Sequence, residues 1–171
     1  LAEPEVFPTV KEAARLQGIY FDLCPYVKPW QFSTQMQAEK DGFLRNPFGY
    51  VHRFYRVFTY KKEGGKWVRS PGDDANKALA FLPQSTAAGI IKEAMLRLFF
   101  DQFQSCGQFL RLQVHDSLVA EVPLDKVEEV GQVMKNEMER PIPELRLPPS
   151  YGMGEYLVVE TDLKQGRRWG R

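Results

Sequence analysis

Gln113-Val114-His115-Asp116-Ser117-Leu118-Val119-Ala120-Glu121-Val122-Pro123 is the stretch on which the fold turns. Residues 109–114 alternate, with Leu110, Leu112 and Val114 set for one face, and residues 118–122 form a second short strand. His115-Asp116-Ser117 joins the two as a turn, so the stretch predicts a β-hairpin. Such a tip holds an acidic side chain rigidly at a sheet edge. Two-metal phosphoryl transfer needs carboxylates held in this way, with the ion between protein and phosphate oxygens. One carboxylate does not bind two ions, so a second must come from elsewhere in the fold. The plainer alternative is that Asp116 and Ser117 are ordinary turn formers and His115 is a surface histidine.

The flanking segments read mostly as helices. Upstream, residues 85–104 carry Ile91, Met95, Leu98 and Gln102 at the helical period, with Ser85 or Thr86 as cap and Gly107 as stop. Downstream, Asp125 with Glu128 opens another helix, and Val127, Val130, Met134 and Met138 form its apolar stripe. Pro141, Pro143, Pro148 and Pro149 predict an irregular segment, followed by a last strand at 156–161. At the other end, Thr9 and Glu12 form a capping box for a helix over 9–24, whose Ala13, Leu16, Tyr20 and Leu23 recur at helical spacing. A second helix is expected over 28–41, with Pro29 in its first turn and Gly42 as its end. Residues 43–75 read as loop and hairpin, with turns at 63–66 and 70–73. The predicted class is α+β, an antiparallel sheet covered by helices on one face.

Composition bounds the function classes. The 171 residues are 43% hydrophobic and 26% charged, as in ordinary globular proteins. No apolar run approaches the roughly 20 residues of a membrane helix. No signal peptide is expected in residues 1–23, which already carry six charges. Two cysteines, Cys24 and Cys106, make no disulfide framework, so a reducing, cytoplasmic setting is expected, that of the host if the chain is viral. A zinc site built from Cys24, His52, Cys106 and His115 lacks the close ligand pairs of structural zinc. A metal phosphohydrolase would need more histidines than His52 and His115. Net charge is only +1, but its distribution is uneven. Arg45, Arg53, Arg56, Lys61, Lys62, Lys66 and Arg69 face a single acid, Glu63, and interleave with Phe48, Tyr50, Phe54, Tyr55, Phe58, Tyr60 and Trp67. Basic side chains attract phosphates and aromatic faces stack on bases. The alternative for this stretch is a hairpin with a solvated basic face.

The motifs taken together resemble family A (polymerase-I-like) DNA polymerases. The hairpin is similar to that family's Gln-Val-His-Asp-Glu motif followed by apolar residues and Glu-x-Pro. Phe81-Leu82-Pro83-Gln84-Ser85-Thr86-Ala87-Ala88-Gly89-Ile90-Ile91-Lys92 resembles its Pro-x-Gln-Gly-Thr-Ala-Ala-Asp-Ile-x-Lys segment, in a form like the phage branch. Tyr20-Phe21-Asp22-Leu23-Cys24-Pro25-Tyr26-Val27-Lys28 is similar to the segment after the fingers helix. Gly42-Phe43-Leu44-Arg45-Asn46-Pro47-Phe48-Gly49 looks like the family's Gly-Tyr-Val-x-Thr-x-Phe-Gly. Val159-Glu160 and Trp169 fit its closing strand and tryptophan. The pieces run in the family's order from about Ala13 to Trp169.

The resemblance implies a palm sheet whose hairpin carries the catalytic acid. Residues 1–75 would be the end of the fingers and a connecting basic insertion, and 76–171 the C-terminal part of the palm. Asp116 would be catalytic and a Mg²⁺ ligand, in a two-metal site completed by a carboxylate outside this chain. His115 would contact the primer backbone, and Gln113 and Gln84 would approach the primer-template. Arg53, Arg56, Lys61 and Lys62, in or beside an insertion of about two dozen residues, would hold DNA. The partners implied are primer-template DNA, a dNTP and the N-terminal polymerase portion, as another chain or a removed segment. No membrane is implied.

Three departures bear on this. Ser117 replaces the family's usual Glu, leaving Asp116 as the only acid at the tip. Ala80 stands where many relatives have a DNA-contacting Asn, and Tyr50-Val51-His52-Arg53 replaces an arginine cluster. The family's first motif, like Asp-Tyr-Ser-Gln-Ile-Glu, and its fingers Arg-x-x-x-Lys are not among these residues. The expectation is therefore part of a polymerase, truncated or encoded in two pieces, that does not act alone. The rival expectation is a non-catalytic DNA-binding or structural subunit of polymerase descent.

Overall fold

The structure is a computed structural model, and it describes residues 9–168. The class is α+β, as expected, but among the described residues the strands form four separate two-stranded sheets instead of one continuous sheet. The chain divides into two compact units. Among the described residues, one comprises 9–44 and 52–81, the other 45–51 and 82–168.

In the first unit, α1 (Val10–Leu23) starts on the predicted capping box. Thr9 Oγ1 accepts from the Glu12 backbone, and the Glu12 carboxylate accepts from the Thr9 N–H at 2.8 Å. None of its residues is buried, so Leu16, Ile19, Tyr20 and Leu23 stand exposed along it. Helix α2 (Val27–Asp41) ends at Gly42 as predicted. Strands β1 (Phe43–Arg45) and β2 (Val51–Arg53) pair with each other. Then β3 (Phe58–Glu63) and β4 (Lys66–Pro71) form an antiparallel ribbon. Gly64 and Gly65, at φ 54° and 82°, make its turn, the two positive φ values that a two-residue type I′ turn requires.

Helix α3 (Ala75–Phe100) starts ten residues before the predicted position and runs through Pro83. Pro83 has no N–H and crowds the carbonyl of Leu79, which argues for a break there. Burial overrides it: Ala75 and Ala78 are wholly packed away in the first turns. The helix also stops at Phe100, short of 104. Asp74, just before it, ties the start to the preceding loop. Its carboxylate accepts from Lys77 Nζ at 2.8 Å and from the N–H groups of Tyr55 at 3.0 Å and Arg56 at 3.2 Å.

The Lys77 hydrogen bond, followed by the two backbone N–H groups, holds the Asp74 carboxyl down at about 2 from its ordinary 3.8. A carboxyl depressed on folding adds stability that is complete above its unfolded value and lost as pH falls through its folded one. Thermal melts should therefore weaken between pH 4 and pH 2, and Asp74→Asn should flatten that acid limb. An Asn variant with an unchanged acid limb would contradict the assignment.

In the second unit, β5 (Leu110–Val114) and β6 (Ser117–Ala120) form the predicted hairpin, with Val114 paired to Ser117. The register slips between Leu110 and Leu112. One extra residue reverses the side-chain parity of everything beyond it. Leu112 and Val114 therefore share the face of Val119, not that of Leu110, and Leu112 is 48% exposed. Leu110, Leu118 and Ala120 pack with Phe109 and Val122 against the core of Leu98, Cys106, Val130 and Met134. Val130 and Met134 come from α4 (Val127–Met138), whose predicted stripe faces inward. The predicted Asp125 cap does not form. Residues Leu124–Lys126 make a 3-10 turn after Pro123, which puts Lys126 at the cap position. Burial pushes the Cys106 thiol up to about 11, which suits a packing residue.

The proline-rich segment is not wholly irregular. Strand β7 (Ile142–Arg146) pairs with the short β8 (Tyr156–Leu157). Pro143 is tolerated because the ladder is irregular between Ile142 and Arg146, where no N–H is demanded of it. Val159 and Glu160 lie beyond β8, so the predicted last strand stops after two residues. Trp169 falls outside the described residues. Among the described residues no helix is long and apolar enough to cross a membrane.

Candidate functional site

His115 and Asp116 occupy the two central positions of the β5–β6 turn, and both are exposed. His115 lies at φ 53°, the only non-glycine residue in the left-handed region among those described. That conformation costs about 1–2 kcal/mol relative to ordinary backbone. Gln113, two residues back, braces the strained peptide, its Nε2 donating to the His115 carbonyl at 3.0 Å. Beside the tip, Ser117 Oγ lies 3.5 Å from Asp116 Oδ1, at the limit of a hydrogen bond. Behind it, the other strand ends rest on the core of α3 and α4. A carboxylate is thus presented outward from a packed base.

Asp116 offers a hard, anionic oxygen, the donor chemistry that magnesium takes. It offers it alone. Among the described residues no group of three His, Cys, Asp or Glu side chains is placed to hold a metal ion. The residues present could supply one protein ligand of a magnesium site.

Gln84, the other residue expected near the primer-template, is exposed on α3 in the same unit. Two contacts nearby were not legible in the sequence. Gly89 stands where the resembling motif has Asp, and a Cβ there would lie 2.2 Å from the Phe48 ring, so the ring of the 42–49 segment is seated on a bare helix backbone. Lys92, to which the sequence assigns no role, places its ammonium 4.9 Å from the Tyr50 ring centroid. Such a cation–π contact ties Lys92 to the Tyr50 ring.

Arg53, Arg56, Lys61 and Lys62 belong to the other unit. Arg53 ends β2 and is exposed. Arg56 is paired with Asp73 at 2.8 Å, both side chains more than half exposed, a contact worth little in water. Lys61 and Lys62, adjacent on β3, point to opposite faces of the ribbon. His52 is an aromatic packing residue, 4.8 Å from Phe54 and 5.5 Å from Phe81.

The DNA polymerase family A model matches residues 3–171. The chain belongs to DNA polymerase family A. It is similar to the thermostable DNA polymerase I of Thermus filiformis, 34% identical over 160 residues, covering 93% of this chain and 17% of that protein. DNA polymerase I of Deinococcus radiodurans is 41% identical over 145 residues, 84% of this chain and 14% of that protein. DNA polymerase I of Lactococcus lactis is 29% identical over 164 residues, 94% and 16% respectively. The chain spans about one sixth of the length of these curated relatives. All three are bacterial, so they lend the phage-branch reading of Pro83-Gln84-Ser85-Thr86 no support. No solved structure matches the chain.

Proposed function

We propose that this family A chain forms the C-terminal catalytic part of a DNA polymerase, joining a dNTP to a primer 3′ end on a template strand. The observation that carries this is Asp116 itself: an exposed carboxylate at the second central position of a strained, two-residue hairpin turn seated on a helical core. In this reading residues 76–171 are palm, and residues 1–75 end the fingers and add the basic insertion.

Magnesium, when bound, supplies positive charge against the negative charge that develops on the transferring phosphate. The chain's own residues do the rest. Asp116 contributes one carboxylate to the ion pair's site, and a family A segment outside these residues contributes the second. His115, exposed at the left-handed position of the turn, contacts the primer backbone. Gln113 fixes that turn, and Gln84 lies along the primer-template. Arg53, Arg56, Lys61 and Lys62 hold phosphates, Arg56 by exchanging its exposed Asp73 partner for DNA.

Primer extension tests this division. The 171-residue chain alone should give no extension. Mixed with a family A segment carrying the first motif and the fingers lysine, it should give Mg²⁺-dependent extension. Robust extension by the chain alone would overturn the two-part site. No extension with a complement that binds it would favour a non-catalytic subunit.

A further inference from the structure

The register of the β3–β4 ribbon sorts its side chains by face. Tyr60 pairs with Arg69 and Lys62 with Trp67, so Phe58, Tyr60, Lys62, Trp67 and Arg69 share one face. Thr59, Lys61, Glu63, Lys66, Val68 and Ser70 share the other. The first face changes character along its length. At its root the Arg69 guanidinium lies over Phe58 at 4.3 Å and over Phe32 of α2 at 5.4 Å. Its Nη1 sits 2.9 Å from Met36 Sδ, and Glu39 of the same helix accepts from the Phe58 N–H at 3.4 Å. The root is thereby fixed to α2. Past it, Tyr60 and Trp67 are 54% and 71% exposed, with Lys62 beside Trp67.

We propose that this free end binds single-stranded DNA, with unpaired bases stacked on Trp67 and Tyr60 and phosphates held by Lys62. Lys61 and Lys66 on the opposite face add attraction from within a Debye length. Charge identifies the class of occupant: Lys61, Lys62 and Lys66 surround one acid, Glu63, so the ribbon end suits a polyanion. The aromatic pair narrows it to unpaired strands. A duplex offers the lysines its phosphates but keeps its base faces stacked inside and shows a ribbon only base edges, and reading those requires several hydrogen-bonding side chains on the inserted face. This face presents two flat rings and one lysine, which suit exposed base faces of any sequence. Membership in a DNA polymerase family makes DNA the strand. Anchoring of the root by Arg69 fixes the ribbon backbone that carries both rings, which lowers the order that has to be imposed on contact.

The proposal is independent of the hairpin chemistry, because binding is read without nucleotide or magnesium. The 171-residue chain is titrated against a labelled oligo-dT of about a dozen nucleotides, within the range of single-strand site sizes. Trp67→Ala and Tyr60→Ala should each weaken binding about tenfold, whereas Trp67→Phe should stay within about threefold of the parent. Lys62→Ala should make the salt dependence shallower by about 0.7 in log-log slope. A duplex of equal length should be indifferent to the two aromatic substitutions. A second readout uses Trp67 emission in a Trp30→Phe/Trp169→Phe background, where oligo-dT should quench it. The proposal is overturned if the Tyr60→Ala/Trp67→Ala double variant binds oligo-dT like the parent, as a protein-docking ribbon would. It is equally overturned by a matching loss on duplex, by unquenched Trp67, or by oligo-rU binding tenfold tighter than oligo-dT.

Discussion

Asp116→Asn in a reconstituted polymerase should lower single-turnover nucleotide addition by on the order of a thousandfold or more, while primer-template affinity stays within about twofold. The two effects separate because their origins differ. Affinity for duplex DNA comes from many phosphate contacts spread over a surface. Catalysis depends on charge at one point. Asn keeps the size and planarity of Asp but is neutral, and it is a poor ligand for a hard cation. Several kcal/mol of lost transition-state stabilisation corresponds to about three decades in rate.

Asp116 has no substitute close by. Ser117 offers only a hydroxyl, so Ser117→Ala should be nearly silent. His115→Ala should fall between the two, since a primer-positioning contact is one of several. If Asp116→Asn keeps more than about a tenth of the parent rate, the hairpin is not the metal-binding element, and the turn-former reading of the tip returns.

The parts of the fold that the sequence announces are those settled by neighbours in the chain. The Thr9–Glu12 box, the Gly64-Gly65 turn and the α4 stripe each need only a few consecutive residues, and each forms as predicted. The parts it conceals depend on distant packing. Pro83 reads as a helix break until the burial of Ala75 and Ala78 is known. The bulge between Leu110 and Leu112 is invisible in an alternating pattern, yet it turns Leu112 out to solvent. Pro143 looks incompatible with a strand because the irregularity that accommodates it lies in the pairing with β8.

The site divides in the same way. The candidate residues were named from the order of the motifs along the chain, because polar residues at a hairpin tip are by themselves ordinary turn formers. The left-handed backbone of His115, the Gln113 brace and the Phe48 ring over Gly89 were not, since each is a relation in space.

Glu137→Ala should lower stability by about 3 kcal/mol, a drop of about 10 °C in melting temperature for a chain of this size. Glu137 sits on the inner side of α4, and its carboxylate meets Arg140 Nη1 at 3.1 Å, Gln102 Nε2 at 3.3 Å and Arg97 Nε at 3.6 Å. Arg97 also donates from Nη2 to the Glu137 carbonyl at 3.0 Å, which holds it in place whatever the side chain becomes. Truncation therefore leaves a guanidinium largely out of water with no counter-charge, and its Nε already lacks a hydrogen-bond partner. Removing one member of a buried pair costs far more than removing an exposed one. Arg146→Ala, which breaks a pair with Glu155 at 3.2 Å on the surface, should shift the melt by less than about 1 kcal/mol. Arg97→Leu with Glu137→Leu should recover much of the Glu137→Ala loss, because the desolvation penalty then disappears from both sides. A Glu137→Ala melt within 2–3 °C of the parent, about 1 kcal/mol at this size, would show the cluster to be solvated. Helices α3 and α4 also carry the base of the β5–β6 hairpin. Glu137→Ala should thus lose activity in step with stability, whereas Asp116→Asn should lose activity on an unchanged melting curve, separating the scaffold of the tip from its chemistry.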